Sequence, residues 1–244
     1  MHRRDLLVQG AATTAAILTA TAAAEASPPG KPAATWRGKT PPGLGKHAPV
    51  PLPFKAGSLA GISEKMISSH HDKNYAGAVK NLNKVETDLS VLKADAPGYL
   101  VAGLREKQLT YFNSMVLHEH YFGGLGGNGK RSGLLETRLG NEFGAGAWEA
   151  QTRATALGLG GGSGWVILAL SLHDGSLVIQ AAANHTQTLA FGAPLLVLDM
   201  YEHAYAIDYG ADHPKYIDAF FENLVWDVVE ERYEKALKAS SVVG

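Results

Sequence analysis

The sequence predicts an α+β fold in which an N-terminal antiparallel helical hairpin precedes an α/β domain with a three-stranded antiparallel sheet and flanking helices. Three observations carry this. Two long runs of helical periodicity are separated by Pro97-Gly98, three short apolar runs follow a glycine-rich break, and helical periodicity returns before the chain ends. With 244 residues, 45% hydrophobic and 18% charged, the chain has the composition of a folded globular protein.

The first helical run covers residues 62–85, with Ser63 placed as N-cap and Glu64 in the first turn. The second covers 100–122 and stops at Gly123-Gly124, so the two suit a hairpin. Helix signals return over 134–156 until the glycines between 158 and 164 break the pattern. Trp165-Val166-Ile167-Leu168-Ala169-Leu170 and Leu177-Val178-Ile179 then flank His173-Asp174-Gly175, a hairpin signal, and residues 195–199 supply a third strand. Helices over 216–224 and 228–238 close the chain, and no internal repeat is present. The organisation expected is a hairpin domain over 51–125 and an α/β domain over 126–244.

Ahead of these lies a segment of another kind. Residues 1–26 combine Arg3-Arg4, an Ala/Thr/Leu-rich run and the small-residue site Ala24-Glu25-Ala26, which reads as an export signal. The paired arginines and modest hydrophobicity resemble the twin-arginine class, so a periplasmic or extracellular destination is expected. The run has too few Leu, Ile, Val and Phe for a good spanning helix, so no stable membrane insertion is expected. Residues 27–50 are rich in Pro and Gly and read as a mobile linker.

A formal net charge of −1 gives no basic excess to point toward nucleic acid or an anionic membrane. The absence of cysteine excludes disulfides, zinc-thiolate sites and thiol chemistry, leaving His, Asp and Glu as possible metal ligands. The segment Asp199-Met200-Tyr201-Glu202-His203 is then the most informative one. Asp199 falls at the end of a buried strand, and a carboxylate and an imidazole held there can both donate to one transition metal. By itself the pair is of low specificity, since an Asp-x-x-x-His is more often a hydrogen-bonded pair or a surface accident.

Three further segments raise its specificity: His70-His71-Asp72-Lys73 with Val79, Leu82 and Asn83 downstream, His118-Glu119-His120-Tyr121-Phe122 with Leu125, and Gly162-Ser163-Gly164-Trp165. Together with Asp199 and His203 they resemble the iron/manganese superoxide dismutase family, over about residues 52–237. The resemblance implies His70, His118, Asp199 and His203 as ligands of one Fe or Mn ion per subunit. His120 is the rival of His118, and two residues along a helix is a turn of about 200°, so only one of them faces a given metal. Further implications are Lys73 as the cation that steers superoxide inward, and Trp165, Tyr201, Tyr121 and Phe122 as ring walls. Glu202 would accept from the metal-bound His203 of a second subunit, making a homodimer with both residues at its interface.

Outside the ligands the chain departs from the family pattern. The gateway Tyr is replaced by Ala78, its partner His by Asn74, and the second Tyr of His-Ala-Tyr-Tyr by Ala206. Tyr75 falls in the wrong α-helical phase to replace the lost ring. The Gln that bonds metal-bound solvent is absent as well, with Gly161 on the sheet side and Ser114 on the helix side. His120, Asn184, His185 and Gln187 carry polar groups able to fill the gap, and each reads otherwise as a loop or surface residue. The leading expectation is an exported superoxide dismutase with a rebuilt outer shell. Its alternatives are peroxide handling at a wider site and a metal-binding dimer without turnover.

Overall fold

The structure is a computed structural model that describes residues 44–243. The expected export signal and most of the expected linker lie outside the described residues. The linker's end is held rather than mobile. Gly45 N–H donates to Glu86 Oε2 at 2.6 Å, His47 Nε2 lies 3.1 Å from the same oxygen, and His47 N–H donates to Asn83 Oδ1 at 2.8 Å. Val50 N–H donates to the Tyr75 hydroxyl at 2.7 Å, and His71 Nε2 to Val50 O at 2.9 Å. A segment without a core of its own is fixed by polar groups that a buried Glu86 and the helix beneath present to it.

Helix α1 (Glu64–Ser69) begins as the sequence requires: Ser63 Oγ accepts from Met66 N–H at 3.1 Å and donates to Asp208 Oδ1 at 2.7 Å. The regular helix expected through 85 is interrupted. Residues His70–Tyr75 form a π-helical segment in which the N–H of Ala76 reaches back five residues to His71 O, before α2 (Ala76–Ser90) resumes. Its wider turn changes which residues share a face. In an α-helix Tyr75 would sit roughly 140° round from His70, and here both side chains are buried. Tyr75 does not stand in for the ring lost at Ala78, because its hydroxyl is directed to Val50 N–H and Glu119 instead.

Helix α3 (Gly98–Gly123) runs antiparallel to α2: Gln108 meets Glu86 at one end of the pair and Glu119 meets Tyr75 at the other. The single helix expected over 134–156 is two helices, α4 (Leu134–Phe143) and α5 (Ala147–Leu159). They part at Gly144 and Gly146, whose φ values of 96° and 71° no helix contains.

The sheet comprises β1 (Trp165–Ser171), β2 (Leu177–Ala182) and β3 (Gly192–Asp199), antiparallel in the order β2-β1-β3. Asp174 shapes the β1–β2 turn by accepting from Ser176 N–H at 3.0 Å and its hydroxyl at 2.7 Å. Every residue of β1 is buried, because α3, α5 and α8 (Trp226–Val243) all pack on the sheet. Pro194 cannot donate to the ladder, and the register shifts beside it, between Leu168 and Ala169. Leu195 O is free there to accept from Arg232 Nη1 at 3.0 Å. The registers place Asp199 opposite Trp165 at one end of the sheet. A 3-10 turn (Glu202–Ala204), the short α6 (Ala206–Tyr209) and α7 (His213–Glu222) follow.

Gly164 sets the entry into β1. Its φ is 152°, and a Cβ there would stand 2.6 Å from Ala182 O, so backbones approach as only glycine allows. Gly164→Val is expected to destabilise the fold by about 2 kcal/mol or more, combining backbone strain with a displaced β2. Urea unfolding followed by tryptophan fluorescence checks it, and an unchanged midpoint would show that the approach can relax.

Candidate metal centre

Four side chains from three separated parts of the chain converge at this end of the sheet. His70 opens the π segment, His118 lies near the end of α3, Asp199 ends β3 and His203 sits in the 3-10 turn. Asp199 Oδ2 is 3.1 Å from His70 Nε2, 3.3 Å from His203 Nε2 and 3.6 Å from His118 Nε2. One donor atom from each residue lies within 4.8 Å of all the others. His70, His118 and Asp199 are buried, and His203 retains 25% side-chain exposure. His118, not His120, joins the cluster. His120 Nδ1 instead bonds Val116 O at 2.9 Å, and burial together with Arg232 lowers its pKa to about 4.

The surroundings orient the group. Tyr201 N–H donates to Asp199 Oδ1 at 2.8 Å, and the Tyr216 hydroxyl donates to Asp199 O at 2.7 Å while lying 3.2 Å from the Tyr121 hydroxyl. His118 Nδ1 stands 2.6 Å from Ser114 O, an acceptor that fixes the proton on Nδ1 and leaves the Nε2 lone pair facing inward. Burial holds the His118 pKa down at about 3 and lowers that of His70, so both rings are neutral and able to donate. Burial alone would raise the Asp199 pKa, but the imidazoles of His203 and His70 outweigh it and keep the carboxylate ionised.

These residues pass a test of fit for a cation. His118 Nε2 and His203 Nε2 are buried and have no hydrogen-bond partner among the described residues, an arrangement that costs stability unless something else satisfies them. Three imidazole nitrogens and one carboxylate oxygen form a donor set of intermediate hardness, suited to iron or manganese.

Rings close the sides. Phe122 lies 4.8 Å from His70 between centroids, Tyr121 5.2 Å from His70, and Trp165 5.0 Å edge-on from His118. Tyr201 stacks on His203 at 5.3 Å, and His185 stacks on the other face of Tyr201 at 4.8 Å. The Trp165 indole N–H donates to His185 Nδ1 at 2.9 Å. The residue that β2 and its following loop bring to the centre is therefore His185, correcting the sheet-side position expected at Gly161. The other two loop candidates stay outside: Asn184 caps its own turn at Thr186, and Gln187 accepts from Ala183 N–H.

A cavity of about 290 Å³ leads from solvent to His118 and His203, with Lys73, Asn74 and Ala78 on one side and Thr110, Tyr111 and Ser114 on the other. Lys73 is exposed at its edge. Glu202 and Ala206 are exposed beyond His203. Tyr75 stands behind the centre, its ring 6.0 Å from that of His118 and its hydroxyl donating to Glu119 Oε1 at 2.9 Å.

A protein from Cupriavidus metallidurans named superoxide dismutase [Fe] is 46% identical over 190 residues, covering 77% of this chain and 96% of its own. The chain belongs to the iron/manganese superoxide dismutase family. The family's C-terminal domain, described as "Iron/manganese superoxide dismutases, C-terminal domain", matches residues 131–232. A superoxide dismutase [Fe] from Aquifex aeolicus is 37% identical over 196 residues, covering 76% of this chain and 91% of its own. A superoxide dismutase [Mn] 1 from Halobacterium salinarum is 32% identical over 191 residues, covering 76% and 94%. Relatives of both metal names thus align with the same region.

Sequence reasoning missed Tyr216 and the Tyr75–Glu119 pair in this dismutase-family site. Tyr216 belongs to the apolar face of α7, where nothing local separates a hydroxyl aimed at Asp199 from an ordinary core ring. Tyr216→Phe should cost about 1–2 kcal/mol of stability by leaving the buried Asp199 carbonyl short of a donor. Chemical denaturation of the metal-free protein measures this, and a neutral effect would mean that water replaces the hydroxyl.

Proposed function

We propose that the protein is an iron or manganese superoxide dismutase, converting two superoxide ions and two protons into oxygen and hydrogen peroxide. The observation that carries this reading is the approach of three Nε2 atoms to the single oxygen Asp199 Oδ2 in a buried site, in a chain of this family. His70, His118, Asp199 and His203 would hold the ion. Iron or manganese, when bound, supplies a one-electron couple that zinc lacks.

The remaining work falls to the protein. Asp199 offsets part of the ion's charge, while neutral imidazoles leave the site attractive to an anion. Lys73 at the cavity edge draws superoxide inward. Trp165 and Tyr201 wall the centre and keep His185 and His203 in fixed orientation. Thr110, Tyr111 and His185 border the cavity with exchangeable protons for the half-reaction that consumes them. We further propose a homodimer joined around Glu202 and His203, since Glu202 is exposed and His203 is the one cluster residue open to solvent on that side. Export is proposed from the twin arginines of residues 3 and 4. Among the described residues no helix is long and apolar enough to cross a membrane.

Purified protein with quantified iron and manganese should consume superoxide, and full metal occupancy without turnover would overturn the proposal. His203→Ala should lose metal to below about a tenth of the wild-type content by elemental analysis, because three donors no longer close the site. Wild-type stoichiometry in that variant would refute the ligand set. Lys73→Gln should lower kcat/KM by about two- to tenfold with metal content unchanged, and should flatten its dependence on ionic strength.

A further inference from the structure

The cavity over His118 and His203 is far larger than a diatomic anion requires. Its volume is about 290 Å³, whereas room for a single water takes roughly 10–15 Å³. The space follows from small side chains on both sides of it, Gly77 and Ala78 on one and Ser114 on the other. Gly77 is informative because a Cβ there would meet nothing within 4 Å. Glycine inside a helix costs about 1 kcal/mol relative to alanine, and neither backbone conformation nor crowding calls for it at this position. A side chain at 77 would instead take up cavity volume.

The lining also has a definite chemistry. It contains no Asp or Glu. One cation, Lys73, borders it, and Lys73 makes no ion pair among the described residues. The amides of Asn74 and Asn81 and the hydroxyl of Tyr111 line it as donors, whereas the Thr110 hydroxyl is spent on Glu106 O at 2.8 Å. At the inner end are the partnerless His118 Nε2 and His203 Nε2. With the ion that His118 and His203 would hold at the inner end and Lys73 at the outer one, positive charge stands at both ends of a basin of neutral donors, which suits a small oxyanion better than an apolar ligand.

We propose that this basin binds a planar oxyanion of bicarbonate or short-carboxylate size, which lies between Lys73 and the His118/His203 end and competes there with the smaller substrate. The proposal rests on the dismutase reading of the centre. Gly77 and Ala78 set the size limit: whichever side chains stand there decide whether the site admits only diatomic and monatomic anions or larger ones too.

The test titrates fluoride, bicarbonate and acetate separately into the metal-loaded protein, followed by calorimetry and by the visible absorption of the ferric or manganic form. Acetate, bicarbonate or both should bind within about tenfold of the fluoride affinity, and the arm that binds identifies the occupant. Gly77→Leu and, independently, Ala78→Leu should weaken the larger anion at least about tenfold while moving fluoride less than about threefold. Lys73→Gln should weaken both classes of anion. Fluoride binding with no acetate or bicarbonate binding overturns the oxyanion site and leaves the dismutase reading intact, as does equal weakening of fluoride and the larger anions by the leucine variants. A protein that takes up neither iron nor manganese overturns the dismutase reading and the oxyanion site with it.

Discussion

The rest of the site depends on one buried carboxylate oxygen. Asp199 Oδ2 has three imidazole nitrogens within 3.6 Å, in a place from which water is excluded. Left as it is, this is a poor use of a protein interior, because neutral nitrogen lone pairs cannot satisfy one another and buried polar atoms without partners are costly. A bound cation resolves the conflict by giving all four donors the same partner. Metal binding and folding are then linked, since the four donors come from segments distant in sequence and have no reason to meet in the unfolded chain.

The fold brings those segments together by three different devices. The sheet places Asp199 opposite Trp165 through antiparallel register, and Gly164 lets the start of β1 meet the end of β2 closely. The π segment widens one turn just where His70 leaves the helix, and His70 and Tyr75 are both buried there while His71 reaches out to Val50. Such widened turns are frequent at functional sites because they re-aim a side chain without ending the helix. Helix α3 supplies His118 with Tyr121 and Phe122 one turn on, and the same stretch therefore gives both a donor and the rings that shield it. The docked residues 45–50 brace this arrangement from outside through Tyr75, Asn83 and Glu86.

Beyond the donors the site is open where the family resemblance led one to expect a relay. Asn74 and Ala78 border a wide cavity, and Ala206 lies at the exposed face. The rigid side is the opposite one, where His203, Tyr201 and His185 stack in sequence and Trp165 holds the last of them. Of the departures, Asn74, Ala78 and Ser114 line the helix side of the cavity, while the stacked aromatic and imidazole groups stand on the sheet side. An open helix side and a stacked sheet side separate access from orientation.

Much of this was legible in the chain. Helix and strand periodicity marked the hairpin and all three strands, since burial on one face leaves a repeating pattern in adjacent residues. The family resemblance carried by the Asp199–His203 segment and the patterns around His70 and His118 pointed to the four side chains that the fold groups together, because each motif is local and tied to one element. What remained hidden was whatever depends on where separate elements meet. The π turn at residues 70–75, the two glycines that split α4 from α5, and the docking of residues 45–50 came from packing rather than local preference. His185 reads as a loop residue in sequence and reaches the centre only because β2 pairs with β1 and returns its loop to the Trp165 indole. The sequence alone determined which atoms are available as donors. Tertiary structure decided which of them share one buried point, because only packing can force four polar groups out of water together.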